Sequence, residues 1–392
     1  MQAQSETVVR QPAVAGKPVV NDPGSWIGDE MIKSDRWIHR LTEPEVADID
    51  RAIGQVVARG LDIMDITRED FPLPVLAPRL ARIRAGLLDG PGIALIRGFP
   101  VARYSRAQAA AAFFGLGRHL GRAVSQNAKG HMLGHVKKLT DIDYNTNASE
   151  RGYRTNVNQR FHSDSCDIVG LMCLQTPKSG GLSSIASSVA VYNEMLKRRP
   201  DLAKVLCEPM YWDRRGEVPV GKDPWYVLPV FNFKDGWFSC RYGRQYIDST
   251  QRFEQVPRMT PQQVEALDMM DALLAELKMN MQFQQGDIQF LFNHVILHGR
   301  TAFEDWPEPE RRRHLMRLWL TIDGERPLPP VLAERVLGGI VTKDTVIAAA
   351  APGSKDELKA GAQLIIFGWD KQADGSVLAK VMYVGRDVAP AM

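Results

Sequence analysis

The chain has 392 residues, 44% hydrophobic and 24% charged, as expected of a globular protein with one elaborated domain or two smaller ones. Its 49 basic and 46 acidic side chains leave a net charge of +3, without the clustered basic excess of a dedicated nucleic-acid binder. It has no apolar run of about 18 residues, so no membrane span is expected.

The first 25 residues lack a signal-peptide apolar core and are expected to form a mobile arm, with the cytoplasm as the default location. Thr42, Pro44 and Glu45 open a helix with a capping box, and Gly60 ends it. A second helix is expected over 78–88, a buried strand over 92–98, and an Ala-rich helix capped by Ser105 to about 120. Residues 126–158 are polar and aperiodic, which predicts a loop or lid over a site. His131 and His135 lie four apart there, but no glutamate sits between them to complete a zinc motif.

Residues 160–320 read as strand-rich. Strands are expected over 168–174, 182–189 and 288–292, with a hairpin at Lys234-Asp235-Gly236. Helices are expected over 192–206, broken at Pro200, and over 261–277, capped by Thr260. A last hairpin, Leu364–Phe367 with 377–384, is expected to pack on the same domain. The expected organisation is thus an arm (1–25), a main domain (26–323) and an extension (324–392). The four cysteines, Cys166, Cys173, Cys207 and Cys240, form no Cys-x-x-Cys pair and read as buried hydrophobes in a reducing compartment.

The chemistry centres on His162-Ser163-Asp164. In an extended strand residues i and i+2 share a face, so both side chains can reach one metal ion. One distant histidine would complete a two-histidine, one-carboxylate triad, the mark of non-haem Fe(II) oxygenases. His294 and His298 both qualify. As a helical pair they would mimic a zinc site, the basis of an alternative hydrolase reading. The strand-like residues before them favour His298.

Arg313 and Arg317 would share one face of a strand. Two guanidiniums on one face are expensive to bury without anions, and Arg clamps a carboxylate bidentately. An iron triad with such a clamp points to 2-oxoglutarate as cosubstrate.

On these residues, together with Gly180-Gly181-Leu182-Ser183 and Gly286-Asp287-Ile288 leading to Asn293, the chain resembles the taurine/2,4-dichlorophenoxyacetate-type Fe(II)/2-oxoglutarate-dependent dioxygenases. The likeness spans roughly 90–322. It implies a mainly β, α+β fold, a double-stranded β-helix (jelly roll) flanked by helices. It implies Fe(II) on His162, Asp164 and His298, with 2-oxoglutarate and O2 as cosubstrates. It implies 2-oxoglutarate held by Arg313 and Ser183, with Arg317 beside the cosubstrate or the substrate's acidic group. Asn158 falls at a position facing substrate, and Arg160 and Arg241 are further candidates for an anionic substrate group. The long spacing from His298 resembles the clavaminate-synthase-like branch and makes Arg312 a rival to Arg313. The retained Asp164 favours hydroxylation, or a desaturation or cyclisation variant, over halogenation. The expected partner is a small molecule, with neither nucleic acid nor membrane, and a homo-oligomer is possible. A non-catalytic metal-binding jelly-roll protein is the other alternative.

Overall fold

The computed structural model describes residues 11–126, 131–142, 150–218, 221–337, 363–371 and 377–385. The chain divides into two compact units, 1–339 and 340–392. The boundary falls later than residue 323 because the helix Pro330–Leu337 belongs to the first unit, where its Leu332 is buried. Within the second unit, Gln363–Lys371 and Val377–Gly385 pair as the expected antiparallel hairpin.

The strands of the two main sheets are β1 (Ile38–Arg40), β2 (Ile93–Arg97), β3 (Arg122–Ala123), β4 (Leu133–Val136), β5 (Gln159–His162), β6 (Ile168–Gln175), β7 (Ser183–Ser187), β8 (Met279–Met281), β9 (Ile288–Phe292), β10 (Ile296–Arg300) and β11 (His314–Thr321). Among the described residues the larger sheet runs β1-β2-β9-β6-β11-β3, with β4 also on β11. Only β1 and β2 pair in parallel. The smaller sheet runs β8-β7-β10-β5, all antiparallel. The fold is α+β. Helices Ala77–Leu88 and Arg106–Arg118 pack on the larger sheet, and Ser188–Arg198 and Pro261–Leu277 on the smaller.

The helix starts follow the sequence. Glu45 Oε2 accepts from Thr42 N at 2.9 Å, and the Ser105 and Thr260 hydroxyls each accept from an N3 backbone N–H. Each such cap stabilises its helix by about 1 kcal/mol. Two expectations change. Residues 11–25 do not form a free arm. Ala13 N donates to Gly236 O at 2.7 Å and Val19 N to Asn193 Oδ1 at 2.8 Å, and Ala13, Val19 and Asp22 are buried. Nor is 126–158 a loop throughout. Leu133–Val136 is a strand, because the edge of β11 offers a ladder to pair with. Residues 127–130 and 143–149 lie outside the described residues.

Candidate metal centre

β5 and β10 are neighbours in the smaller sheet, and their register sets His162 directly opposite His298. The imidazole centroids are 4.4 Å apart. Past that pair the ladder slips, with Arg300 opposite Gln159, so three steps on β5 match two on β10. This is a β-bulge. Gly299 permits it, since a Cβ there would stand 2.7 Å from Gln159 O. The slip reverses the alternation behind His162. Gln159, rather than Arg160, therefore joins His162, with its Nε2 3.2 Å from His162 Nε2.

Asp164 does not reach the site by strand alternation, because β5 ends at His162. A braced loop carries it instead. Asp164 N donates to Asn293 Oδ1 at 3.2 Å, and Asn293 Nδ2 donates to Cys166 O at 3.0 Å. Ser163 N donates to Tyr242 O at 3.0 Å, and Arg241 Nη1 donates to Ser163 O at 2.6 Å. The carboxylate then stands with Oδ1 3.8 Å from His162 Nε2 and Oδ2 3.8 Å from His298 Nε2. One donor atom from each residue lies within 4.8 Å of the others, and no other such trio occurs among the described residues.

The protonation states suit a cation. Burial lowers the pKa of both histidines, that of His298 to about 3, so both imidazoles are neutral near pH 7. Burial by itself would raise the Asp164 pKa. The Arg317 charge, His298 and His162 where they are protonated, and a hydrogen bond from Trp319 outweigh it and hold the group at about 2. Two neutral nitrogens and one carboxylate oxygen form a donor set for a first-row divalent metal.

Support comes from β11. Trp319 Nε1 donates to Asp164 Oδ2 at 2.9 Å. Arg317 Nη1 lies 3.7 Å from the same oxygen, and its guanidinium carbon is 4.9 Å from the ring centroids of both Tyr153 and Trp319. Gln126 Oε1 accepts from Arg317 Nε at 2.8 Å. Nothing in the sequence by itself marks Gln126, Gln159 or Trp319 as a site residue. Each is an ordinary side chain whose role depends on a partner far away in the chain.

Of the two rival arginines, Arg312 is exposed and donates to the carbonyls of Trp306 and Pro307. Arg313 is buried, its Nη1 without a partner among the described residues, and burial pushes its pKa down to about 10. It runs beside the backbone of Gly181, where φ is +66° and a Cβ would stand 3.3 Å from Arg313 Nε. Ser183 Oγ donates to Gln289 Oε1 at 3.3 Å, linking the inner faces of the two sheets. A cavity of about 470 Å³ opens beside Arg313, lined also by Arg106, Lys137, Lys138, Arg312 and His314, but by none of the triad.

The other three residues expected at the substrate lie as follows. Arg160 is exposed and points to Asp248 and Asp271, at 3.8 and 3.9 Å. Arg241 is buried and braces the metal loop through Ser163 and Ser165. Asn158 is exposed, just ahead of β5. The zinc-pair reading also fails. His294 lies in a turn and its Nε2 donates to Asp167 Oδ1 at 2.6 Å, away from His298. His135 sits on β4 against His314, with Nδ1 and Nε2 2.9 Å apart.

A helix-flanked α+β body with a buried two-histidine, one-carboxylate trio defines a mononuclear non-haem metal oxygenase. The comparisons with known proteins agree. Residues 58–319 match the family described as "Taurine catabolism dioxygenase TauD, TfdA family". FR-33289 synthase of Streptomyces rubellomurinus is 31% identical over 325 residues, covering 81% of this chain and 94% of that protein. Taurine hydroxylase-like protein SAT17 of Stachybotrys chartarum is 31% identical over 336 residues, covering 82% and 84%. In fold the chain resembles an asparagine oxygenase solved with Fe(II), hydroxyasparagine and succinate, with TM-score 0.58, 17% identity, and coverage of 73% of this chain and 94% of that one. It also resembles the non-haem iron oxygenase OrfP, with TM-score 0.53, 17% identity, and coverage of 72% and 94%. The chain belongs to the TauD/TfdA family and is an Fe(II)- and 2-oxoglutarate-dependent dioxygenase.

Proposed function

We propose that this enzyme hydroxylates an unactivated C–H bond of a small anionic metabolite, in a body whose two sheets form a double-stranded β-helix. The observation that carries the reading is the convergence of His162, Asp164 and His298, with the buried Arg313 guanidinium nearby, whose Nη1 has no hydrogen-bond partner among the described residues. When bound there, iron supplies the activation of O2, one oxygen atom entering succinate as CO2 leaves 2-oxoglutarate and the other entering the substrate.

The rest falls to the chain. His162 and His298 present neutral nitrogens, and Asp164 presents an oxygen kept ionised by Arg317 and Trp319. Arg313 pairs with the far carboxylate of 2-oxoglutarate, assisted by the Ser183 hydroxyl. The cationic cavity beside Arg313 gives that dianion a favourable approach. Arg317, stacked between Tyr153 and Trp319, is the cation best placed to meet an acidic group near the metal. An anionic substrate is supported by the relatives named for taurine and for uridine 5′-phosphate, a sulfonate and a phosphate ester. The four cysteines are unpaired, which suits a reducing cytoplasm, and no described helix is long and apolar enough to cross a membrane.

The deciding experiment is an anaerobic titration of metal-free protein with Fe(II) and 2-oxoglutarate, followed by visible absorption. A weak charge-transfer band that disappears in His162→Ala and weakens in Arg313→Ala is expected. Folded protein without such a band would overturn the reading. Asp164→Ala is expected to abolish hydroxylation, and near-normal turnover would remove it from the ligand set.

A further inference from the structure

One polar side chain at the trio has no part in that scheme. Gln159 Nε2 lies 3.2 Å from His162 Nε2, while His162 Nδ1 lies 3.0 Å from Arg160 O. A carbonyl only accepts, so Nδ1 carries the proton and Nε2 the lone pair. The Gln159 amide therefore donates to that lone pair. The flipped amide would set its oxygen against the nitrogen's own electrons. His162 is buried, and an acceptor left unsatisfied there is destabilising.

The same lone pair is the one the metal needs, since Nε2 faces Asp164. We propose that Gln159 is a gate on metal loading. It satisfies His162 in the metal-free protein and gives way before Nε2 can hold an ion. The proposal rests on His162 being a metal ligand. The bulge at Gly299 builds the gate, because unbroken alternation would put Arg160 at this place. Gln159 also lies beside the segment that carries Tyr153. A methyl on Gly152 would stand 3.1–3.3 Å from Gln159 Cγ, Cδ and Nε2. The next residue, Tyr153, covers Arg317. Gln159 thus lowers the metal affinity that the three ligands alone would give.

The test is Mn(II) binding to metal-free protein, with free Mn(II) read by electron paramagnetic resonance, so no turnover is involved. Gln159→Leu removes the donor at similar size, and Gln159→Asn shortens it by one methylene while keeping an amide. Both are expected to lower the Mn(II) Kd, the Leu variant by about fivefold, the equivalent of one ordinary hydrogen bond. His162→Ala is expected to lose binding. If His162→Ala binds Mn(II) as the wild type does, the metal-centre reading itself fails. If His162→Ala loses binding while both Gln159 variants bind no tighter than wild type, the gate alone is overturned. Should the Leu variant fold poorly, the Asn variant decides.

Discussion

Asp167 accepts the His294 Nε2–H at 2.6 Å in the interior, and this contact ties the loop carrying Asp164 to the turn that leads into the His298 strand. Asp167 Oδ2 also accepts from Thr321 Oγ1 at 2.8 Å and Ile322 N at 2.9 Å. Three chain segments that supply the trio or its support therefore meet on one carboxylate. Asp167→Ala leaves three buried donors unpaired, each costing about 1–3 kcal/mol. The expected loss is about 3 kcal/mol or more, read as a lower urea midpoint with unchanged slope. A loss below about 1 kcal/mol would show that the carboxylate is not a structural centre.

The buried histidines set a pH dependence. Burial lowers the pKa of His294, takes His298 to about 3, and takes His314 to about 4. Below the ordinary value of about 6.5, the unfolded chain binds protons that the folded chain refuses. Stability of the metal-free protein therefore rises with pH across that window and falls on acidification. His298 alone accounts for about 2 kcal/mol between pH 7.5 and 5. Asp164 and Asp167, both held below the usual carboxylate range, add a further loss as the pH falls below about 4. Urea midpoints at pH 7.5 and 5.0 check this, and equal midpoints would contradict neutral, buried imidazoles.

The two adjacent arginines are expected to separate cleanly. Arg313→Ala removes the buried cation and should raise the KM for 2-oxoglutarate by roughly ten- to a hundredfold, the range of one charge-assisted contact. Arg312→Ala removes only exposed donors to two carbonyls and should change that KM by less than about twofold. Succinate release against 2-oxoglutarate concentration measures both. The reverse order would return the clamp to Arg312.

Signals carried by a few neighbouring residues were legible in the sequence. The Thr42–Glu45 and Ser105–Gln108 capping boxes, the break at Pro200 and the Asp235-Gly236 turn all stand where the local chemistry puts them. His162, Asp164 and His298 were legible as a set, and the structure brings them together. What supports them was not. The slip opposite Gly299 depends on two strands far apart in the chain, and period-two alternation drawn through it puts Arg160 where Gln159 stands. Arg241 looked like a substrate cation because nothing in the sequence shows that Ser163 O would take its Nη1. The segment 11–25 looked unstructured because its partners, Asn193 and Gly236, are remote.

Trp319 tests how far Asp164 depends on its support. The indole N–H is the closest donor to Oδ2, at 2.9 Å against 3.7 Å for Arg317. Trp319→Phe keeps a ring beneath the Arg317 guanidinium but removes that donor. The carboxylate then loses the bond that fixes its rotation, and Arg317 draws it by charge alone. Loss of such an outer partner typically weakens a metal site ten- to a hundredfold. The expected result is a Mn(II) Kd raised by roughly tenfold, with a urea midpoint close to wild type because the ring still packs. Trp319→Ala should weaken binding further and also lower the midpoint, since Arg317 loses one of its two aromatic faces. If the Phe variant binds Mn(II) as tightly as wild type, Arg317 alone orients Asp164, and Arg317→Lys should then carry the loss.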